Sequence, residues 1–167
     1  MQNTLKKYFI FGFLFTAVAG TLLHFAYDFT GQNFFIGLFT PINESVWEHI
    51  KLLYFPMVLF SLYAVSKLTA EYPCIHFGLS AGILTGCLLI PVLYYTYSGI
   101  LGTHYAAVDI SIYYISVLVA FLLAYRLTLN CRGKRFYPII KWSLFLLAAG
   151  FFLFTLMPPA LPFFQAP

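Results

Sequence analysis

Hydrophobic residues in this chain come in long unbroken runs, not in the alternation of a strand or the narrow stripe of a surface helix. The first run, 8–27, follows Lys6 and Lys7. At about 20 residues and ~1.5 Å per residue it matches a hydrocarbon core roughly 30 Å thick. Four more runs follow at 44–67, 74–97, 105–126 and 138–157. Glycine, proline or charge separates them: Glu71 and Pro73, Gly99 and Gly102, then Arg132, Lys134 and Arg135. Pro56 and Pro91 lie inside runs and predict kinks. Pro138 opens the last run and Pro158-Pro159 stop it. The pattern predicts an all-α polytopic membrane bundle of five transmembrane helices in one domain, 1–167. The basic start followed by Ala17-Val18-Ala19-Gly20 also resembles a cleavable signal. The apolar run continues past that point to Phe25, so it reads as an uncleaved span.

One dense polar stretch interrupts the oil: 41–52, PINESVWEHIKL. Asn43 is suited to cap the second span, with Glu44 in its first turn, where the helix dipole favours an anion. The preceding segment, 28–43, contains Gly31, Gly37 and Pro41 yet is rich in Phe34, Phe35 and Phe39. It reads as an interfacial or re-entrant loop, tolerated at membrane depth where protein or water satisfies its backbone. The residues 29–40 are expected to roof whatever lies at that end of the bundle.

Composition agrees with the pattern: 62% of residues are hydrophobic and 8% charged, with mean hydropathy +0.87. A soluble domain carries about 25% charged residues. The net charge of +4 therefore speaks of topology and not of nucleic acid. With the N-terminus inside, the inner side holds Lys6, Lys7, Lys67, Arg126, Arg132, Lys134, Arg135 and Lys141, eight of the nine cations, leaving Lys51 outside. The positive-inside rule gives N-in, C-out. Trp47, Tyr94, Tyr95 and Tyr97 then mark one interface, and Tyr72, Phe136, Tyr137 and Trp142 the other. Cys74 and Cys131 fall at the inner face and Cys87 within a span. None is expected in a disulfide, and their spacing fits no metal motif.

This topology sorts the remaining polar groups. Asp28, Glu44, Glu48 and Asp109, four of the five acids, gather in the outer half with His24, His49 and His104. Ionisable residues at membrane depth are costly and face a bundle interior or a wet cavity. His24 and Asp28 share a helix face at i,i+4, as do Glu44, Glu48 and Lys51 at i,i+4,i+7. His49 points about 100° away from Glu48. A helix-start acid, a Glu48–Lys51 ion pair, or a bond from Asp109 to Tyr105, Tyr113 or a third-span tyrosine are the structural readings of the same residues. No HExxH, GxSxG, phosphate-binding glycine loop or CxxC is present. Histidine with carboxylate binds divalent ions such as Zn²⁺, and also relays protons. The candidate ligands are His24, Asp28, His49 and His104, with Glu48 and Asp109 as candidate catalytic carboxylates.

The run Asn43-Glu44-Ser45-Val46-Trp47-Glu48-His49, with His24, Tyr27-Asp28, Gly31 and Pro41 before it and Pro158-Pro159, Leu161-Pro162-Phe163-Phe164 and Pro167 at the end, resembles a family of small bacterial multi-pass membrane proteins, domain of unknown function 6512. That resemblance covers the chain and implies a bacterial inner-membrane location, but no activity. A looser likeness is to the membrane hydrolases that include alkaline ceramidases and progestin-type receptors. Those bind zinc through histidines on several helices, including HxxxH in the last; the fifth span here has none. Three expectations remain: a metal-dependent membrane hydrolase acting on a lipid-like or extracytoplasmic substrate, with one carboxylate as general base; a small-solute or proton-coupled transporter or binding subunit, hinged at Pro56 and Pro91; or a scaffold whose polar cluster locks helices.

Overall fold

The structure, a computed structural model, describes residues 2–166. Among them five helices are long and apolar enough to cross a membrane. These are α1 (Gln2–Phe29), α3 (Val46–Leu68), α4 (Ile75–Leu101), α5 (Ala106–Asn130) and α6 (Tyr137–Leu156); α2 (Phe34–Gly37) is a single turn. Most extend beyond the apolar runs that predict them, because backbone hydrogen bonding continues into polar sequence at the helix ends. Termination is chemical: Gly102 and Cys131 turn α4 and α5 off in the left-handed conformation. Successive helices reverse direction, so the C-terminal ends of α1, α4 and α6 share one end of the bundle with the starts of α3 and α5.

The closest contact is between α4 and α5. Gly78, Gly82 and Gly86 repeat at i+4 along α4 and face Ala120, Ala124 and Thr128, also four apart on α5. A Cβ at Gly82 would lie 2.5 Å from the Ala120 carbonyl oxygen. Small residues let the backbones approach, which is how helices gain packing energy where lipid removes the hydrophobic drive. α3 is the central helix. Its Leu53, Met57, Phe60 and Ala64 are fully or almost fully buried between α1 and α4. α6 lies at the periphery, anchored by Phe151 against Trp47, Tyr54 and Phe55, and by Tyr54, whose hydroxyl donates to the Leu144 carbonyl.

Glu48 and Lys51 are buried to 2% and 0% exposure, and hold the 29–40 segment in place. The Lys51 ammonium donates to Glu48 Oε2 at 2.7 Å, Thr155 Oγ1 at 2.5 Å and the Gly37 carbonyl at 3.1 Å, with the Thr40 carbonyl at 3.4 Å. Glu48 also accepts from the Ile42 N–H and the Thr155 hydroxyl. The network joins α3, α6 and the segment after α2. That segment packs against α3 and α6 through Phe39, Phe55 and Phe152, so it is not the roof expected over the site.

The cysteine expectation is corrected: Cys74 and Cys131 form a disulfide, with Cα atoms 5.5 Å apart. Cys74 precedes α4 and Cys131 ends α5, so the tight antiparallel pairing of those helices brings residues 57 apart in sequence together. Cys87 is buried and free.

Candidate metal centre and its cavity

Local turn chemistry sets the start of α3. The Asn43 side chain accepts from the Ser45 N–H at 2.8 Å, and the Ser45 hydroxyl, not Asn43, caps the helix by accepting from the Glu48 N–H. Glu44 therefore lies outside the helix, and its exposed carboxylate swings over the first turn toward His49. His49 Nδ1 lies 2.8 Å from the Ser45 carbonyl oxygen. A carbonyl only accepts, so Nδ1 carries the proton and Nε2 presents its lone pair. His24 arrives from α1. Its Nε2 is 3.2 Å from His49 Nε2 and 3.6 Å from Glu44 Oε2; His49 Nε2 is 3.3 Å from the same oxygen. Three potential ligand atoms thus form a nearly equilateral triangle. His24 Nδ1 is buried with no partner among the described residues, so either tautomer is open to it.

A second polar group faces the same space. Asp109 is half-buried in the first turn of α5, nearer the helix start than expected. It accepts from the Tyr97 hydroxyl of α4, and its other oxygen is 3.3 Å from His104 Nδ1. Tyr97 in turn accepts from the Tyr105 N–H at 3.1 Å, which knits the α4–α5 turn together. Both groups line a cavity of about 580 Å³, with Leu52, Ile90, Ile112 and Tyr113 as apolar wall and Ala166 of the C-terminal tail at its edge. The tail reaches there because its Pro162–Phe164 turn packs Phe163 and Phe164 on Trp47.

The expected residues divide accordingly. His24 and His49 come together; His104 and Asp109 pair with each other and line the same cavity. Asp28 is exposed, outside the cavity, and makes no ion pair with His24. Glu48 points away from His49 and both its oxygens are occupied by the Lys51 network. The sequence reading leaves Glu44 out of the ligand set because, with the cap placed at Asn43, Glu44 takes the role of a helix-start acid. The Asn43-Glu44-Ser45 turn, with both flanking residues able to cap, was the available signal. Tyr97 was covered only by the general expectation of a third-span tyrosine for Asp109.

No curated protein and no solved structure matches the chain. The family match spans residues 1–167, and the chain, with its five spanning-length helices and its His–Glu–His triangle, belongs to a family described as a family of unknown function, DUF6512.

Proposed function

We propose that this protein is a metal-dependent membrane hydrolase whose Zn²⁺-type ion is held by His24, Glu44 and His49. The carrying observation is the triangle of 3.2, 3.3 and 3.6 Å. Ligand atoms about 2.0–2.1 Å from a tetrahedral Zn²⁺ sit roughly 3.3–3.4 Å from one another, so the three atoms trace one face of such a tetrahedron. Two histidines and a carboxylate form a known catalytic donor set that leaves a fourth position, here toward the cavity. The Ser45 carbonyl provides the outer hydrogen bond that orients a ligating histidine. A bound ion would supply Lewis acidity toward water and the scissile group.

The chain's own residues do the rest. Asp109 accepts the Nδ1 proton of His104 and leaves Nε2 free. His104 takes a proton from the attacking water as its oxygen bonds to the electrophilic centre, then delivers that proton to the leaving group as the old bond breaks. Hydrolysis balances with water alone and needs no further reactant. The excess of cations at the opposite end of the bundle favours an outward-facing site in an N-in, C-out chain, while the Cys74–Cys131 disulfide at that same end favours the reverse, since disulfides persist outside the cytoplasm.

Protein purified untagged in mild detergent should contain one equivalent of zinc or a similar ion. His49→Ala and Glu44→Gln should lose it, and Asp109→Asn should keep it. Metal-free protein whose stability ignores both chelator and added zinc would overturn the proposal.

A further inference from the structure

Resting on the hydrolase reading of this site, we propose that its substrate is a membrane amphiphile that enters sideways from the bilayer between α1 and α5. Its polar linkage would lie at the rim and its hydrocarbon chain in the cleft. Two features of the cavity carry this.

The first is a gradient of polarity with depth along three of the four helices that wall the cavity. On α3, His49 is followed inward by Leu52; on α5, Asp109 by Ile112 and Tyr113; on α4, Tyr94 lies outward of Ile90. At about 1.5 Å per residue the change from polar to apolar takes roughly 4–6 Å along each helix. Glu44 and His104, both exposed, mark the wet rim. Below that level the hydroxyls of Thr21 and Tyr114 are paired with each other and that of Tyr113 donates to the Thr16 carbonyl, so a small polar solute has few free partners there, whereas a molecule with a polar head and an apolar chain matches both zones.

The second is the side opening. Thr21 and Phe25 are four apart on α1; Ala106, Ile110 and Tyr114 are four apart on α5. All five line the cavity and are exposed, Phe25 at 53% and Ile110 at 58%, and they border exposed residues that do not line it, Leu22 on α1 and Ile115 on α5. Two stripes that belong to both the cavity and the lipid-facing surface are the two lips of a cleft. The Thr21 and Tyr114 hydroxyls, 2.9 Å apart, close its deeper end. A substrate coming from water would need the rim but not these lips.

The test uses full-length protein in nanodiscs of phosphatidylethanolamine and phosphatidylglycerol. The probe is a single-chain phosphatidylcholine bearing a diazirine in mid-chain. Leu52 and Ile112, exposed by only 4% and 7%, report the cavity wall; Leu22 and Ile115, exposed by 66% and 48%, report ordinary lipid contact. In the F25C/I110C double variant, with one cysteine on each lip of the opening, light should label all four positions. Bridging the two new cysteines with a short bismaleimide should then abolish labelling at Leu52 and Ile112 and leave Leu22 and Ile115 unchanged. Labelling confined to Leu22 and Ile115 before bridging, or wall labelling that survives bridging, would overturn lateral access. Zinc content measured on the same sample separates the two proposals. Zinc without wall labelling refutes the amphiphile and spares the metal centre. Wall labelling that bridging abolishes, without zinc, refutes the metal centre and leaves amphiphile binding standing.

Discussion

Removing the carboxylate of Glu48 should destabilise the protein far more than an ordinary i,i+3 pair would suggest. An exposed pair at that spacing contributes about 0.2–0.5 kcal/mol. Here the Lys51 side chain is 0% exposed and Glu48 accepts from a backbone N–H, an ammonium and a hydroxyl. Glu48→Gln leaves a buried ammonium with neutral acceptors only, the new amide oxygen, the Gly37 and Thr40 carbonyls and the Thr155 hydroxyl. Breaking a buried pair from one side costs roughly 3–5 kcal/mol, because an uncompensated charge remains in low dielectric. At about 2–4 °C per kcal/mol for a chain of this size, melting in detergent should fall by roughly 6–20 °C. Lys51→Met should fall similarly, and the Glu48→Gln/Lys51→Met double variant should recover part of the loss. Zinc content should stay at the wild-type level throughout. Single variants that each cost under about 1 kcal/mol would show a solvated pair of surface strength and refute the reasoning. Loss of zinc in Glu48→Gln at unchanged stability would place this carboxylate at the metal instead.

Gly82→Leu should cost at least about 1–3 kcal/mol in thermal unfolding, since even its Cβ meets the Ala120 carbonyl at 2.5 Å, while zinc binding is unchanged. Asp109→Asn and His104→Ala should lower zinc-dependent turnover of short chromogenic esters by roughly 10²–10⁴-fold without loss of metal; loss of the ion instead would move them into the ligand set. Cys74→Ser should destabilise by at most about 4 kcal/mol, the loop-closure value for a 57-residue separation, and by less if the helices persist in the unfolded state; the melting shift relative to wild type reads it. Cysteines at Gln32 and Thr103 should react with an impermeant thiol reagent from outside, and one at Lys134 should not; the reverse result would turn the site toward the cytoplasm.

What was legible followed from physics that acts along the chain. Runs of apolar residues gave the helices, and the price of ionisable groups in lipid gathered His24, His49, His104 and Asp109 at one end. What was not legible depended on contacts between distant segments. Cys74 and Cys131 pair because glycines four apart bring α4 against α5, a stripe visible in the sequence but meaningful only once its partner helix is known. The roof expected from 29–40 failed for a similar reason: Lys51 draws that segment to α6 through Thr155, more than a hundred residues away. Glu44 was lost to a two-residue difference in where a helix starts: with the cap at Ser45 and not Asn43, Glu44 stands before the first turn and is released from the helix face it would share with Glu48.

The Lys51 network also bears on how the chain is assembled. α3 has the lowest mean hydropathy of the five spanning helices, and its Glu48 and Lys51 stand in the first two turns, where a charge resists membrane insertion by less than the about 2.5–3.5 kcal/mol it costs at a helix centre. The acceptors that neutralise Lys51 arrive at different times during synthesis. Gly37 and Thr40 are made before it, Glu48 just before it, and Thr155 after two further spans. Until α6 is in place, the pair has a missing wall and is best kept near the water-facing end of the bundle. Docking of the final helix is then the step that seals the charge, so a chain truncated before Thr155 should leave α3 seated shallowly and open to degradation.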